Sequence, residues 1–575
     1  MRAACLAFLV CLLAADGAAA ETLSARSPAV TARLHLTAGF APRGTTVAIR
    51  GTARVRRRGV AVVALRCADA RCVRFARRGR SLRRLSRGRR RRSIRLRVDP
   101  SPFVRVELRA RRRVLAHATL RRPAPATPAP QPPAAPPASP RASFSVTPPL
   151  NPAYDPSIPD YTVACERART VRVSDDGGER TLALAAGQAF SFSVGGRSHS
   201  ARCLPRIWTG WAVRRTGTPQ SEWIVFNTRA GAVGYTVIAD GLGVPVWWRA
   251  GVAPLQDGRV LPDGSVAVGR VTEGSYGRHP YEHVALDGTP LGEFDTVGTS
   301  ADPHELQILP NGNALMLRYV RRDDVDLSSL GGPPDATVID GEIQEVTPQH
   351  QLVWSWRSSD HLASDETTFP LTQVRALIDG REAYDLVHLN SLQQDGDGVL
   401  LSARNLDAVY RIRRADGSVD WKLGGTPRAE SLDFLAGPFG PAGLGGQHQA
   451  RRLPDGTITL HDNGTRTGRP PRALRFALDP LARTATVIER VTDPRVATSI
   501  CCGGATRLAG GHWLVSWGFA PIITELTASG RPVLTLTLDS GFSYRAQSVP
   551  ATLLSRAALR AGMDAMVSRR RASGP

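Results

Sequence analysis

The chain has 575 residues and a mass of 61.8 kDa, beyond the roughly 250–300 residues at which a single hydrophobic core stops growing, so a disulfide-stapled miniprotein is excluded and several domains or one large repeat fold are expected. Hydrophobic residues make up 42% and charged residues 22%, a globular balance that excludes a wholly disordered or fibrous chain. The net charge of +25 is local: residues 22–122 hold 30 Arg against Asp69, Asp99 and Glu107, or +27, which leaves 25 − 27 = −2 for the rest.

In chain order, Met1-Arg2 precedes an apolar run, Ala3 to Ala15, and then Gly17-Ala18-Ala19-Ala20. This pattern predicts a secretory signal over residues 1–20 and an exported protein, secreted or held in the cell envelope. The run is too short to span a bilayer, and no later stretch has about 18 unbroken apolar residues, so no transmembrane segment is expected. Beyond the signal, six cysteines fall into three local pairs, Cys67/Cys72, Cys165/Cys203 and Cys501/Cys502. In an exported chain an even count favours disulfides. For adjacent Cys501 and Cys502 a vicinal bridge and free or separately bridged thiols both stay open. No His/Cys cluster has zinc-ligand spacing, so neither a metal nor a cofactor is expected.

Residues 21–122 alternate apolar and polar in short runs such as Ser93-Ile94-Arg95-Leu96-Arg97-Val98, which predicts a small β-sandwich. Its Arg runs, Arg89 to Arg92 among them, suit an anionic cell-surface polymer, with a merely solvated basic face as the plainer reading and nucleic acid as the less favoured partner. Residues 123–142 form a linker: nine of the eighteen residues from Pro123 to Pro140 are proline, a semi-rigid spacer of roughly 55 Å. Residues 143–205 form another small β domain around Cys165 and Cys203.

Residues 206–575 carry an internal repeat of apolar stretch, Leu-Pro-Asp/Asn-Gly turn and apolar stretch: Val260 to Val268, Ile308 to Met316 and Arg452 to Leu460, with looser copies at Leu392 to Leu401 and Leu508 to Val515. Many are followed by a second hairpin with a Gly turn and a Trp, as in Ile412 to Trp421. Two hairpins make a four-stranded antiparallel unit, and radial repetition of such units is a β-propeller. With a degenerate first unit from Trp223 to Trp248 the count is six. The fold class expected is therefore all-β, a six-bladed β-propeller preceded by two small β-sandwich-like domains and a Pro-rich linker. A helical stretch, Ala551 to Val567, is expected to pack outside.

Aligning the repeats on their turns gives the chemical clue. His304, His388 and His448 each stand six residues before the proline position of their turn. Equal phase on inner strands lets the three rings converge at one mouth of an axial channel. Folding each hairpin about its turn sets Tyr319 opposite His304, Arg404 near His388 and Asn463 opposite His448; in the last unit Gly503 falls beside Trp517 or Gly518. One histidine is more often structural than catalytic, but packing gives no reason for three at one phase.

The strings Asp302-Pro303-His304-Glu305, His388-Leu389-Asn390-Ser391, Ser402-Ala403-Arg404-Asn405, Gln447-His448-Gln449-Ala450 and Asp462-Asn463-Gly464 closely resemble those of the arylsulfotransferase (aryl-sulfate sulfotransferase) family over about residues 206 to 550. The resemblance implies a periplasmic or extracellular six-bladed propeller that moves a sulfuryl group from a phenolic sulfate donor to a phenol acceptor without PAPS. It implies that His448 is the nucleophile that becomes transiently sulfated and that His304, His388, Asn390 and Arg404 hold the sulfate group. Cys501-Cys502-Gly503-Gly504 departs from the family pattern, and no role transfers to Thr506.

The chemistry suits these residues apart from the family name. Sulfuryl transfer spreads negative charge over equatorial oxygens, so it needs fixed cationic donors and an in-line nucleophile. Arg404 supplies a planar fork, neutral His448 a ring nitrogen, and a protonated His388 or His304 a proton for the departing phenolate. The rival readings are a non-catalytic secreted propeller attached to anionic polymer, which predicts no turnover, and a quinoprotein dehydrogenase, which needs acidic calcium ligands and more blades.

Overall fold

The repeat is a matter of turn chemistry. In Val260–Val266 the Leu261 N–H bonds Ser265 O, in Ile308–Ala314 the Leu309 N–H bonds Asn313 O, and in Arg452–Ile458 the Leu453 N–H bonds Thr457 O, at 2.8–2.9 Å. At the third turn position, Asp263, Asn311 and Asp455 each accept the backbone N–H two residues on, at 3.0 Å, the Asx turn these side chains favour. The glycines that follow, Gly264, Gly312 and Gly456, have φ of 83°, 84° and 81°, a left-handed backbone that glycine adopts without a Cβ clash.

A computed structural model describes residues 19–27, 30–41, 44–56, 60–67, 81–85, 88–98, 103–111, 113–121, 144–165, 170–252, 254–271, 279–439, 443–539 and 542–572. Residues 1–18, Cys72, the side chains of Arg89 to Arg92 and the spacer Pro123–Pro140 lie outside them. The chain divides into two compact units, 1–139 and 140–575.

In the first unit, strands Ala19–Arg26, Val30–Ala41, Gly44–Val55 and Gly88–Val98 form one antiparallel sheet, and Ser81–Arg84, Val60–Cys67, Phe103–Ala110 and Arg113–Arg121 a second. Leu34, Ile49 and Leu96 of one sheet share a core with Val62, Val106 and Leu108 of the other. Because side chains alternate along a strand, burying these residues sends Arg33, Arg50, Arg54, Arg95 and Arg97 to solvent.

The second unit begins with two small sheets over residues 145–203; in one of them the Cys165–Cys203 disulfide ties the chain just past Asp160–Val163 to the end of its partner strand Arg197–Cys203. Among the described residues from 211 to 549 there follow six mainly antiparallel sheets. Their first strands are Leu255–Val260, Asp302–Ile308, Leu389–Asp395, His448–Arg452, Gly504–Arg507 and, for the sheet of Trp223–Val252, the late strand Ala546–Val549. Each of the first five packs beside the next, and Gly504–Arg507 packs beside Ala546–Val549. Gln547 then bonds both the N–H and the C=O of Val260, at 3.0 and 3.4 Å. The early strand Trp211–Arg215 completes the last sheet by pairing with Pro532–Leu538. Two sheets are thus each built from both ends of the unit.

The helix Arg556–Ala572 takes its place by the same alternation of faces. Leu559, Met563 and Met566, spaced for one helical face, are buried with Trp247 and Trp248, while Arg202 reaches Asp564 at 2.9 Å and Arg556 and Arg560 engage Asp160. It joins the small sheets to the sheet of Trp223–Val252, as a packed element rather than a loose tail. Among the described residues no helix is long and apolar enough to cross a membrane.

Candidate active site

Irregular pairing at the start of three first strands decides where the histidines point. Asp302 pairs with Leu317 and Leu306 with Met316, so three residues including His304 bulge from one strand. Leu389 pairs with Ala403 and Ser391 with Ser402, leaving Asn390 extra. His448 pairs with His461 and Arg451 with Thr459, again with one residue extra. His388 and Gln449 have φ of 53° and 51°. Bulges re-aim side chains and terminate pairing, and here they turn three histidines toward one another.

The His304 and His388 rings lie 5.0 Å apart at 86°, and Tyr319 stands 6.1 Å from each. The Tyr319 hydroxyl donates to Leu389 O at 2.6 Å, which fixes the ring against the neighbouring strand. Tyr544 fills the space on the other side, 5.5 Å from His304 and 6.3 Å from His448. Arg404 begins just after Ala403; its N–H bonds His388 O at 2.8 Å, and its guanidinium lies over Phe369 and reaches Ile500 O at 3.0 Å. Asn390, fully buried, donates its amide to Gln447 O at 2.7 Å, tying the His388 strand to the His448 strand.

The three histidines differ in what lies behind Nδ1. His304 Nδ1 meets Asp302, and His388 Nδ1 meets Asp385 at 2.5 Å. His448 Nδ1 meets Asn463 Oδ1 at 2.8 Å and Gly446 O at 3.0 Å. The Asn463 amide is oriented by its own bond to Cys502 O at 2.9 Å, and the Cys502 N–H donates to His448 Nε2 at 3.1 Å. His448 therefore carries its proton on Nδ1 and a lone pair on Nε2.

Burial lowers the pKa of His388, with Asp385 opposing and His304 and Arg404 adding to the shift. Burial likewise drives His448 well below its ordinary value, with Arg404, His388 and His461 adding their repulsion. His461, the strand partner of His448, is held at about 3 by burial alone. Its two ring nitrogens have no hydrogen-bond partner.

Of the residues expected from the sequence, His304, His388, His448, Arg404, Asn390, Asn463 and Tyr319 lie around this cluster. Trp517 does not: it is fully buried in the hydrophobic cluster of Trp513 and Val515, and its ring meets His461 at 5.6 Å. Hairpin arithmetic set Asn463 opposite His448, whereas the paired residue is His461 and Asn463 arrives through its side chain. Asp302, Asp385, Tyr544 and the Cys502 N–H carry site contacts that the repeat reading missed. The Asp residues were within reach of it, two and three positions before their histidines; Tyr544 precedes a strand that lacks the repeat's turn. Cys501 and Cys502 form a vicinal disulfide. Among the described residues no group of His, Cys, Asp and Glu is arranged to hold a metal ion.

No curated protein matches the chain. Among solved structures it is similar to hydrazine synthase of Kuenenia stuttgartiensis, with 12% identity, 55% of this chain and 79% of that chain covered, and a TM-score of 0.31. It is also similar to the dihydro-heme d1 dehydrogenase NirN, with 13% identity, 60% and 81% covered and a TM-score of 0.29, and to AztD of Citrobacter koseri, with 12% identity, 60% and 99% covered and a TM-score of 0.27. Scores this low carry no inference. The family match is narrower than the motif resemblance and more informative: residues 281–539, which hold all three clustered histidines and Arg404, match the arylsulfotransferase (ASST) family.

Proposed function

We propose that residues 211–549 form a six-bladed β-propeller whose axial mouth transfers a sulfuryl group from an aryl sulfate to a phenol, without PAPS and through a sulfohistidine at His448, in an exported protein. The cyclic order of the six first strands and the closure of two sheets by the chain ends support the propeller. The apolar run near Met1 supports export.

The observation that carries the mechanism is the contrast between the carboxylates behind His304 and His388 and the amide behind His448. A carboxylate stabilises an imidazolium, whereas an amide fixes the tautomer without a charge. His304 and His388 are thus suited to grip and protonate, and His448 to remain neutral and attack.

In the first half-reaction the Nε2 lone pair of His448 exchanges the Cys502 N–H for the donor sulfur. The N–S bond forms as the S–O(aryl) bond breaks, and His304 Nε2 gives its proton to the leaving phenolate. Arg404 and His388 hold the sulfuryl oxygens. In the second half the acceptor phenol loses its proton to His304, its oxygen attacks sulfur, and the N–S bond breaks. The free pKa of phenol, about 10, makes phenolate a fair leaving group.

The test is covalent trapping. With a chromogenic aryl sulfate and no acceptor, the peptide containing Gln447-His448-Gln449 should gain one sulfuryl mass, and a phenol should discharge it. His448→Asn should neither label nor turn over. A labelled, active His448→Asn protein would move the nucleophile to another residue.

A further inference from the structure

One residue beyond the histidine layer, the same strands build a second polar site. Glu305 follows His304, Gln449 follows His448 and Arg545 follows Tyr544. Gln449 and Arg545 border a cavity of about 230 Å³ whose wall also includes Asp257, Arg259, Arg451 and Arg507, and none of the three site histidines; Glu305 stands behind that wall, paired with three of its arginines. At about 30 Å³ per water it has room for a small oxyanion and the group that bears it.

Its charges do not balance. Glu305 is fully buried and takes three guanidiniums: Arg259, Arg451 at 2.6 Å and Arg545 at 3.3 Å. Asp257 takes Arg259 and, at 3.6 Å, Arg545 again. Burial pushes the Glu305 carboxyl up, but the guanidiniums outweigh it and hold the group at about 2, so it is ionised. Arg507 is neutralised by Glu489 at 2.6 and 3.1 Å. Three cations, Arg259, Arg451 and Arg545, therefore face two carboxylates. Arg545 is 5% exposed, and its Nε has no hydrogen-bond partner.

An uncompensated buried charge is costly, and guanidinium forks match planar or tetrahedral oxyanions. We propose that this cavity is an oxyanion-binding site, separate from the histidine cluster, that takes one carboxylate, sulfate or phosphate group. Asp257, Arg259 and Arg545 lie outside the family-matched stretch 281–539, so the site is assigned by the contacts and not by the family.

The experiment is a calorimetric titration of the full chain with inorganic sulfate, chloride holding the ionic strength constant. Sulfate taken up by the basic first unit is common to all variants and cancels in the comparison. Arg451→Gln brings the count to two against two and should weaken one saturable component by roughly tenfold or more, the scale of a charge-assisted hydrogen bond. Arg451→Lys keeps the charge without the fork and should fall between. Glu305→Gln raises the excess and should tighten the same component. Arg404→Lys should leave it unchanged, which separates this site from the sulfuryl-transfer site. Competition by 4-hydroxybenzoate at far lower concentration than acetate would identify the oxyanion as part of an aromatic ligand; equal competition by the two would identify a free ion. The proposal is overturned if folded Arg451→Gln and Arg451→Lys titrate like the unaltered protein, or if Arg404→Lys and Arg451→Gln lose the same component. Turnover of aryl sulfate, measured alongside, reports on the transferase reading independently.

Discussion

Asn463→Asp tests the division of labour among the histidines most directly. It replaces an amide oxygen 2.8 Å from His448 Nδ1 with a carboxylate of nearly the same shape. At an effective dielectric constant of about 20, a unit charge at that distance stabilises the imidazolium by about 6 kcal/mol. The buried carboxylate returns several kcal/mol of that in desolvation, which leaves an upward shift of about 1–3 pKa units. In the unaltered protein burial and Arg404 hold His448 well below 6.5, so its neutral form persists into acid. In the variant the pKa climbs, the attacking lone pair is lost to a proton at higher pH, and the acid limb of kcat/KM should move up by the same amount. Asn463→Leu is the control: it deletes the acceptor without adding charge, costs about 1 kcal/mol of orientation, and should lower kcat/KM by roughly five- to tenfold with the limb in place. Both are read from kcat/KM for an aryl sulfate from about pH 4 to about pH 9. A folded Asn463→Asp protein whose acid limb coincides with that of the unaltered protein would refute the assignment, because the group that limits activity in acid would then not be His448.

Asp385→Asn keeps an acceptor for the His388 backbone N–H but removes the charge behind its ring; kcat/KM for the donor should fall roughly ten- to hundredfold, one to two pKa units of lost imidazolium stabilisation. His388 has its pKa lowered by burial in the empty site, and a bound sulfate ester favours the cation, so donor binding should take up a proton and weaken as pH rises; titrations in buffers of different ionisation enthalpy that show no proton uptake would contradict this. Gly503→Ala places a Cβ 2.8 Å from His461 and from Ser516 O at a φ of +99° and should lower the unfolding midpoint, by about 1–3 kcal/mol of strain. Replacing both Cys165 and Cys203 by Ala removes a crosslink across 38 residues, worth about 4 kcal/mol in the chain-entropy account, and should destabilise the second unit in thermal unfolding without abolishing turnover.

The repeat was legible because its turns are chemically constrained. Asp or Asn is needed to cap the turn and Gly to pass through positive φ, so Leu-Pro-Asp/Asn-Gly marks each hairpin of residues 260–268, 308–316 and 452–460 whatever surrounds it. The alternation in residues 21–122 was legible for a similar reason, since the period of two that buries Leu34 and Ile49 also exposes Arg33 and Arg50. The partnership of Trp211–Arg215 with Pro532–Leu538, and of Ala546–Val549 with Trp223–Ala230, left no such mark. Those strands lack the turn motif, and only long-range pairing defines them.

The site was legible to the depth of one residue per strand. Phase located His304, His388 and His448, but phase assumes a regular ladder, and each of these strands departs from it at the histidine or within two residues after it. The hairpin turns about position 455, which alone would set Asp462 opposite His448, and the bulge moves the partner one residue further, to His461; Trp517 follows a regular ladder and its ring meets His461. The same irregularity frees backbone N–H groups for side chains: Asp302 and Asp385 each accept the N–H of their own histidine as well as meeting its ring. A carboxylate that fixes a bulge and a carboxylate that tunes an imidazole are thus one group. At His448 the Nδ1–H is instead accepted by Asn463 Oδ1 and Gly446 O, uncharged groups on either side of the ring. The chemical asymmetry among three residues of the same type therefore lies in what each Nδ1 meets, a carboxylate two or three residues back in two strands and an amide from the facing strand's end in the third.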